Sequence, residues 1–457
     1  MTKNNYIVAI EVGSSKISGA IGIHTVSGVR ILAYASEPVS NFISKGVIRN
    51  VDETGNSLTS LINRLETQIE NIHIEKAYVT FGGMSMHSIK SSVTREFESF
   101  TKITQEIIDE ISLENESIFN VPDGYQKIQV VPQEYRLNGE TSAMPIGTPT
   151  CRIECNFLNI IIREQYMKQL EESFEMAKIK IADSFNAAKI EADLLLSDEE
   201  LTAGTALVNI GADTTTVAIY TNRLLRKITV IPLGSANITK DLCAEQITIT
   251  EAEQIKIFKG YRADEEEHSN IPTELLNEVI SGRMIEILQN IKYQIESSGE
   301  NIGRIVFTGG GSKLKNISAI IEDNLPNYRI RIATDIEMGF THSDELPITT
   351  GAITPTLFGL LSKGEENCCE EEITAPKDAV IQNDLFEKEK KEDEVEKPVK
   401  KEDDKKEGIS EITGKENQKL NKKRNNPIDR IKTLFGDWID NVTEEEDSYN
   451  NNNDEEL

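Results

Sequence analysis

Three short turns, far apart in the chain, carry residue types suited to gripping an anion. The first is Gly13-Ser14-Ser15-Lys16, between the apolar run Tyr6–Gly13 (YIVAIEVG) and the strand-like Ser18–Ile23. A tight hairpin with a glycine and two hydroxyls presents N–H and O–H groups to an anion, and Lys16 adds a point charge. The second is Gly211-Ala212-Asp213-Thr214-Thr215, between Thr205–Ile210 and Thr215–Tyr220, with hydroxyls on Thr214 and Thr215. Together the two would clamp a polyphosphate from both sides; either alone is an ordinary hairpin. The third is Gly309-Gly310-Gly311-Ser312-Lys313, after the strand-like Arg304–Thr308 and before an apolar-periodic helix expected from Leu314. Three glycines let backbone approach a flat ligand closely, and a helix N-terminus adds a favourable dipole.

The turns sit in a repeated setting. Tyr6–Gly13, Ser18–Ile23 and Val29–Ala35 read as a meander of strands, followed by a helix over Thr54–Asn71 and a strand over Lys76–Gly82. Thr205–Ile210, Thr215–Tyr220 and Leu224–Ile231 repeat the meander, which predicts an internally duplicated α/β module. Between the halves, Ser85–Arg163 holds strand-like stretches (YQKIQVVPQEYRL and CRIECNFLNIIIR) and a helix over Gln105–Glu114, so it reads as a separate small α/β insertion.

Composition narrows the function classes. A chain of 457 residues exceeds one hydrophobic core. A net charge of −28 excludes nucleic acid as a partner, because phosphate-backbone binding needs clustered Lys and Arg. No stretch approaches the roughly 18 apolar residues of a spanning helix, and the N-terminus lacks the order of a signal peptide, so the chain reads as cytoplasmic. Cys151, Cys155, Cys243, Cys368 and Cys369 are odd in number and scattered, with no second pair at zinc spacing. They read as structural thiols rather than a disulfide framework or metal site. From residue 364 the chain becomes acidic and lysine-rich (EENCCEEE, then EKEKKEDEVEKPVKKEDDKKEG), too poor in apolar surface to offset its chain entropy. A disordered linker over 364–425 is expected.

The order of two phosphate hairpins and a late GGGS loop resembles the actin-like superfamily. Within it the chain is similar to the FtsA family of bacterial cell division proteins. The resemblance is carried by IEVGSSKISGAIG (10–22), VVPQEY (130–135), LVNIGADTTTVAIY (207–220), EAEQIK (251–256) and VFTGGGSKLKNI (306–317). It implies two duplicated actin-like, ribonuclease H-like domains: 1–84 with 166–200, and 201–240 with 301–363. It further implies an inserted subdomain at 85–165 used in polymerisation and a subdomain at 241–300 that binds the FtsZ C-terminal peptide. ATP with Mg2+ would lie between the domains, with Gly13, Ser14, Ser15, Lys16, Gly211, Ala212, Thr214 and Thr215 on the phosphates. Glu253 and Lys256, together with Gly309, Gly310, Gly311 and Lys313, would meet the adenosine; the first two would otherwise be a solvent salt bridge. Members that hydrolyse ATP place an Asp in each phosphate strand to hold hydrated Mg2+; here those positions are Glu11 and Asn209. Asn209 lacks the charge, so hydrolysis is expected to be weak or absent, and no catalytic base is assigned. Where a second glycine is usual in the second hairpin stands Asp213, whose charge would repel a phosphate unless it turns away. Arg283 matches a position for the acidic FtsZ peptide, with a solvated helix charge as the plainer reading.

Near the C-terminus, Asn426-Pro427 is an N-cap and first-turn pair. Beyond it Ile428, Ile431, Leu434, Phe435, Trp438, Ile439 and Val442 fall within an arc of roughly 140° at 100° per residue. A helix over 426–443 with this face needs a surface: a core, a groove on a partner, or a bilayer interface. Trp438, the sole Trp of the chain, beside Phe435 and downstream of Lys422-Lys423-Arg424, favours the bilayer. The acidic tail 444–457, with Asp437 and Asp440, predicts weak binding that works through many copies. The combined expectation is an actin-like filament-forming protein that tethers FtsZ to the cytoplasmic face of the cell membrane at the septum. A pilus-assembly adaptor or a small-molecule kinase of the same superfamily is the alternative.

Overall fold

The computed structural model of the chain describes residues 5–261, 271–333, 340–342 and 353–371. The expected linker beyond Glu371, the amphipathic helix with Ile428 to Val442, and the acidic tail lie outside the described residues.

The first half opens with β1 (Ile7–Val12), β2 (Lys16–Thr25) and β3 (Gly28–Pro38), an antiparallel meander. A short hairpin follows, β4 (Ile43–Ser44) and β5 (Val47–Ile48), then helix α1 (Val51–Glu66), β6 (Ile72–Ile74) and β7 (Lys76–Phe81). Helix α1 starts earlier and stops earlier than the Thr54–Asn71 expected. The Asn50 side chain caps it by accepting from the Glu53 N–H at 3.1 Å, and Asn71 has a left-handed φ of 58°. Strand β1 is buried at Ile7 through Ile10 because β2 and β7 flank it and α10 packs against it.

The insertion is β8 (His87–Lys102), α2 (Gln105–Ile118), β9 (Tyr125–Leu137), β10 (Glu140–Ser142) and β11 (Pro149–Arg163). The chain then returns through α3 (Glu164–Met176), β12 (Lys180–Asn186), α4 (Ala187–Leu195) and α5 (Asp198–Ala203).

The second half repeats the first. Strands β13 (Thr205–Ile210), β14 (Thr215–Thr221) and β15 (Leu224–Ile231) form its meander, followed by α6 (Ala236–Leu242), α7 (Ile249–Lys259) and α8 (Thr273–Glu296). Then come β16 (Arg304–Thr308), α9 (Ile317–Asn324), β17 (Arg329–Ile332), β18 (Phe340–His342), α10 (Pro355–Lys363) and β19 (Cys369–Glu371). The first sheet is ordered β12-β7-β1-β2-β3-β18, and the second contains β17-β16-β13-β14-β15 in the corresponding order. β1 and β13 each pair antiparallel with the next strand and parallel with a later one. The duplication expected from the two meanders is thus present strand for strand.

Two expectations are corrected. No helix starts at Leu314: a 3-10 turn over Gly310–Lys313 is followed by Asn316 at φ 61°, and the α-helix starts only at Ile317. Folding also does not stop at residue 364. Cys368 and Cys369 are buried, and β19 pairs with β6 at the edge of the first half.

The insertion is joined to the second half. Its sheet continues that of the second half through a bridge between His87 and Thr229, and Ser88 Oγ accepts from the Ile228 N–H at 3.0 Å. The stronger link comes from VVPQEY. Gln133 Oε1 accepts from Arg226 Nη1 at 3.0 Å, Gln133 Nε2 donates to the Leu225 carbonyl at 3.1 Å, and both Glu134 oxygens accept from the Arg226 guanidinium. The Arg226 side chain is only 8% exposed, and it holds the Glu134 carboxyl below the usual carboxylate range. Removing one partner of such a pair strands a charge away from water. Glu134→Ala should therefore destabilise the folded body by about 3 kcal/mol in urea unfolding. A loss below about 0.5 kcal/mol would mean solvent already screens the pair.

Candidate functional site

The two phosphate turns are built alike. In the first, the Gly13 N–H donates to the Lys16 carbonyl at 3.1 Å; in the second, the Gly211 N–H donates to the Thr214 carbonyl at 2.8 Å. Each bond closes a two-residue hairpin between consecutive strands and leaves Ser14-Ser15 or Ala212-Asp213 at the tip. Behind the second turn, the Ser235 N–H donates to the Gly211 carbonyl at 2.9 Å and the Ala236 N–H to the Ala212 carbonyl at 2.7 Å. Thr215 is buried and its hydroxyl donates to the Leu233 carbonyl at 2.9 Å. That hydroxyl serves the turn rather than a phosphate, unlike the expectation.

The β4–β5 hairpin spans the two turns. Its tip residues Lys45 and Gly46 have φ of 55° and 68°, and Gly46 packs so closely on Gly83 that a Cβ would collide with it. The Gly46 N–H donates to Ser14 Oγ at 2.8 Å, and the Lys45 N–H donates to Asp213 Oδ2 at 3.1 Å. Asp213 Oδ1 also accepts from Lys240 Nζ at 3.3 Å. The carboxylate anticipated as a hazard to phosphate is thus directed to partners of its own.

Below the turns lies a polar cluster in which Glu191 and Thr356 are buried and Glu11, Asn209 and Thr354 half-buried. Glu11, at the end of β1, accepts from the Thr354 hydroxyl, and Thr354 is the N-cap of α10. Asn209, its counterpart on β13, donates through Nδ2 to Glu191 Oε1 at 2.6 Å. Thr356 Oγ1 donates to the same oxygen, also at 2.6 Å. Burial pushes the Glu11 carboxyl up, against the Thr354 hydrogen bond and the Lys16 charge. Burial likewise pushes Glu191 up to about 7; the Thr356 hydrogen bond opposes the rise, nearby Glu11 adds to it, and Asn209 opposes it. Sequence reasoning missed Glu191, Thr354 and Thr356. The available signals were a glutamate inside AAKIEADLLL and the Thr-Pro-Thr opening of a helix.

The third loop closes the site from the second half. Gly309 has φ 88°, and a Cβ there would collide with Asn209 Oδ1. Only glycine lets this loop lie against β13. Gly311 likewise lies on the Ile210 side chain, whereas Gly310 has open space around its missing Cβ. On α7, Lys256 is buried and donates to Glu253 at 2.7 Å, Thr239 at 3.0 Å and the Ser235 carbonyl at 3.3 Å. It is therefore not a solvent salt bridge. The Tyr261 N–H donates to the Lys315 carbonyl at 3.0 Å, so the end of α7 adjoins the loop that contains Lys313. The adenosine candidates thus come from neighbouring segments.

Arg283 lies elsewhere, on α8. It is held by both oxygens of Asp241 and by Glu286 at 2.8 Å, which keeps the guanidinium's pKa above its ordinary value.

The buried acid at Glu191 has a pH consequence. With a carboxyl raised from 4.5 to about 7, the folded chain retains a proton that the unfolded chain releases. Stability should then fall as pH rises from about 4.5 to about 7 and level off above, by on the order of 3 kcal/mol. Glu191→Gln removes this slope. The melting temperature of the variant minus that of the parent should increase between pH 5 and pH 8; a constant difference would contradict a raised Glu191.

Comparison with known proteins agrees with this architecture. The family described as cell division protein FtsA matches residues 206–347, and the SHS2 domain inserted in FtsA matches residues 83–161. The chain is 30% identical over 347 residues to the cell division protein FtsA of Porphyromonas gingivalis, covering 70% of this chain and 71% of that protein. It is 26% identical over 361 residues to that of Bacillus subtilis, covering 74% and 81%. Among solved structures, the PilM–PilN type IV pilus biogenesis complex aligns with a TM-score of 0.56 at 14% identity, over 78% of this chain and 96% of that one. That likeness is one of fold.

Proposed function

The chain belongs to the family of cell division protein FtsA, and on that premise we propose that it binds ATP with Mg2+ between its two halves and tethers FtsZ filaments to the cytoplasmic face of the membrane at the septum. The observation that carries the nucleotide part is the pair of matched turns, Gly13–Lys16 and Gly211–Thr214, facing one bridging hairpin. Residues from both halves at these turns take the phosphates: Gly13, Ser14, Ser15 and Lys16 from one, Gly211, Ala212 and Thr214 from the other. Gly309–Gly311 and Lys313, with Glu253 and Lys256, take the adenosine.

Glu11 and Glu191 are the acidic side chains that would meet a hydrated divalent cation at the floor of the site, and its charge would favour their ionised forms. Bound Mg2+ would neutralise phosphate charge there. Asn209 keeps its amide on Glu191 and leaves the second phosphate strand without a carboxylate of its own. Turnover is accordingly slow, and the nucleotide acts to set the relation of the halves.

The insertion serves self-association into filaments, and the 241–300 segment receives the acidic FtsZ C-terminal peptide. Because Arg283 is already paired with Asp241 and Glu286, the peptide must exchange for one of those carboxylates to use it. Residues 426–443, whose apolar spacing predicts a helix, supply the membrane contact. On titration with anionic liposomes, Trp438 emission of the full chain should shift to the blue and the protein should co-sediment, whereas a chain ending at residue 425 should stay in the supernatant. Equal sedimentation of both, or of neither, would sink the tether.

A further inference from the structure

The tip of the β4–β5 hairpin offers two successive backbone N–H groups from residues in the left-handed region, Lys45 and Gly46. Successive N–H groups in this kind of turn form an anion-binding concavity. Here one is taken by Ser14 Oγ of the first phosphate turn and the other by Asp213 Oδ2 of the second. Asp213 is half of a two-point anion contact, since Lys240 Nζ stands 3.3 Å from its other oxygen. Its side chain is 12% exposed although it lies at the tip of a turn. A backbone N–H and an ammonium converging on one carboxylate are the donors a phosphate recruits.

We propose that Asp213 is a specificity-determining residue: its carboxylate occupies the Lys45 N–H and the Lys240 ammonium in place of a nucleotide's terminal phosphate. This rests on the nucleotide reading of the cleft and adds to it. A triphosphate must displace the carboxylate and meet its charge, whereas a diphosphate leaves the Asp213–Lys45 contact intact. Asp213 thus lowers the preference for ATP over ADP and ties the presence of the terminal phosphate to release of a contact between the halves. The Ser14–Gly46 bond carries no charge and does not discriminate in this way.

The test measures ATP and ADP dissociation constants, with Mg2+ present, for the full chain and for Asp213→Asn and Asp213→Ala. Asn keeps the shape and removes the charge, so folding is preserved; Ala also removes the acceptor. Loss of a like charge beside the terminal phosphate should tighten ATP on the order of tenfold and ADP far less. Equal gains for the two nucleotides, or weaker ATP binding in both variants, would overturn the inference while leaving the nucleotide site standing. If the parent and both variants bind neither nucleotide, the cleft reading itself falls and takes the inference with it.

Discussion

Glu191, buried, and Glu11, half-buried at the end of β1, are two carboxylates close enough for the charge of Glu11 to push the Glu191 pKa up. What satisfies them is mostly neutral: the hydroxyls of Thr354 and Thr356 and the amide of Asn209, with Lys16 acting on Glu11 through its charge. These groups come from β1, α4, β13 and the first turn of α10, so one polar cluster fastens elements of both halves. The start of α10 adds the positive end of a helix dipole where the carboxylates gather. A buried acid held this way restrains its neighbours, because moving Asn209 or Thr356 weakens the hydrogen bonding of Glu191 where water does not replace it. An Asp at 209 would put a second carboxylate at hydrogen-bond distance from Glu191. The Asn there is therefore consistent with the cluster and not merely a lost ligand.

Above this floor the remaining architecture follows. The turns leave β1 and β13 at corresponding places because the two sheets share one strand order. The β4–β5 hairpin reaches both turns because Gly46 and Gly83 allow two backbones to touch. The insertion is fastened to the second half by Gln133 and Glu134, which grip Arg226 on the outer strand of the second meander. A fold of this kind is shared with the PilM–PilN complex at low identity, so fold alone leaves the pilus-adaptor and kinase readings open. What separates this chain from them is sequence likeness along most of its length to FtsA proteins.

Much of the framework was legible in the sequence for a local reason. Thr205–Ile210 and Arg304–Thr308 are short apolar runs bounded by turn residues, and both strands have the limits those boundaries predict. The helix after the glycine loop was misplaced because Asn316 takes a left-handed conformation that apolar spacing does not reveal. The end of the folded body was misjudged because β19 is acidic and cysteine-rich, and only its long-range pairing with Ile72–Ile74 makes it a strand. Within the site, the glycine and hydroxyl turns announce themselves. Glu191 does not, since a glutamate on a helix reads as a solvated charge until Asn209 and Thr356 are seen against it. Asp213 was visible as an anomaly, but its partner Lys45 lies 168 residues away in the chain.

The central claim is that one nucleotide joins the two halves through these turns. Hydrogen–deuterium exchange of the full chain with and without ATP and Mg2+ tests it most directly. Slower exchange should be concentrated in peptides covering residues 9–18, 42–48, 207–216 and 307–315, with segments from both halves protected together. Protection confined to one half, or unchanged exchange in all four segments at saturating ATP, would contradict the account.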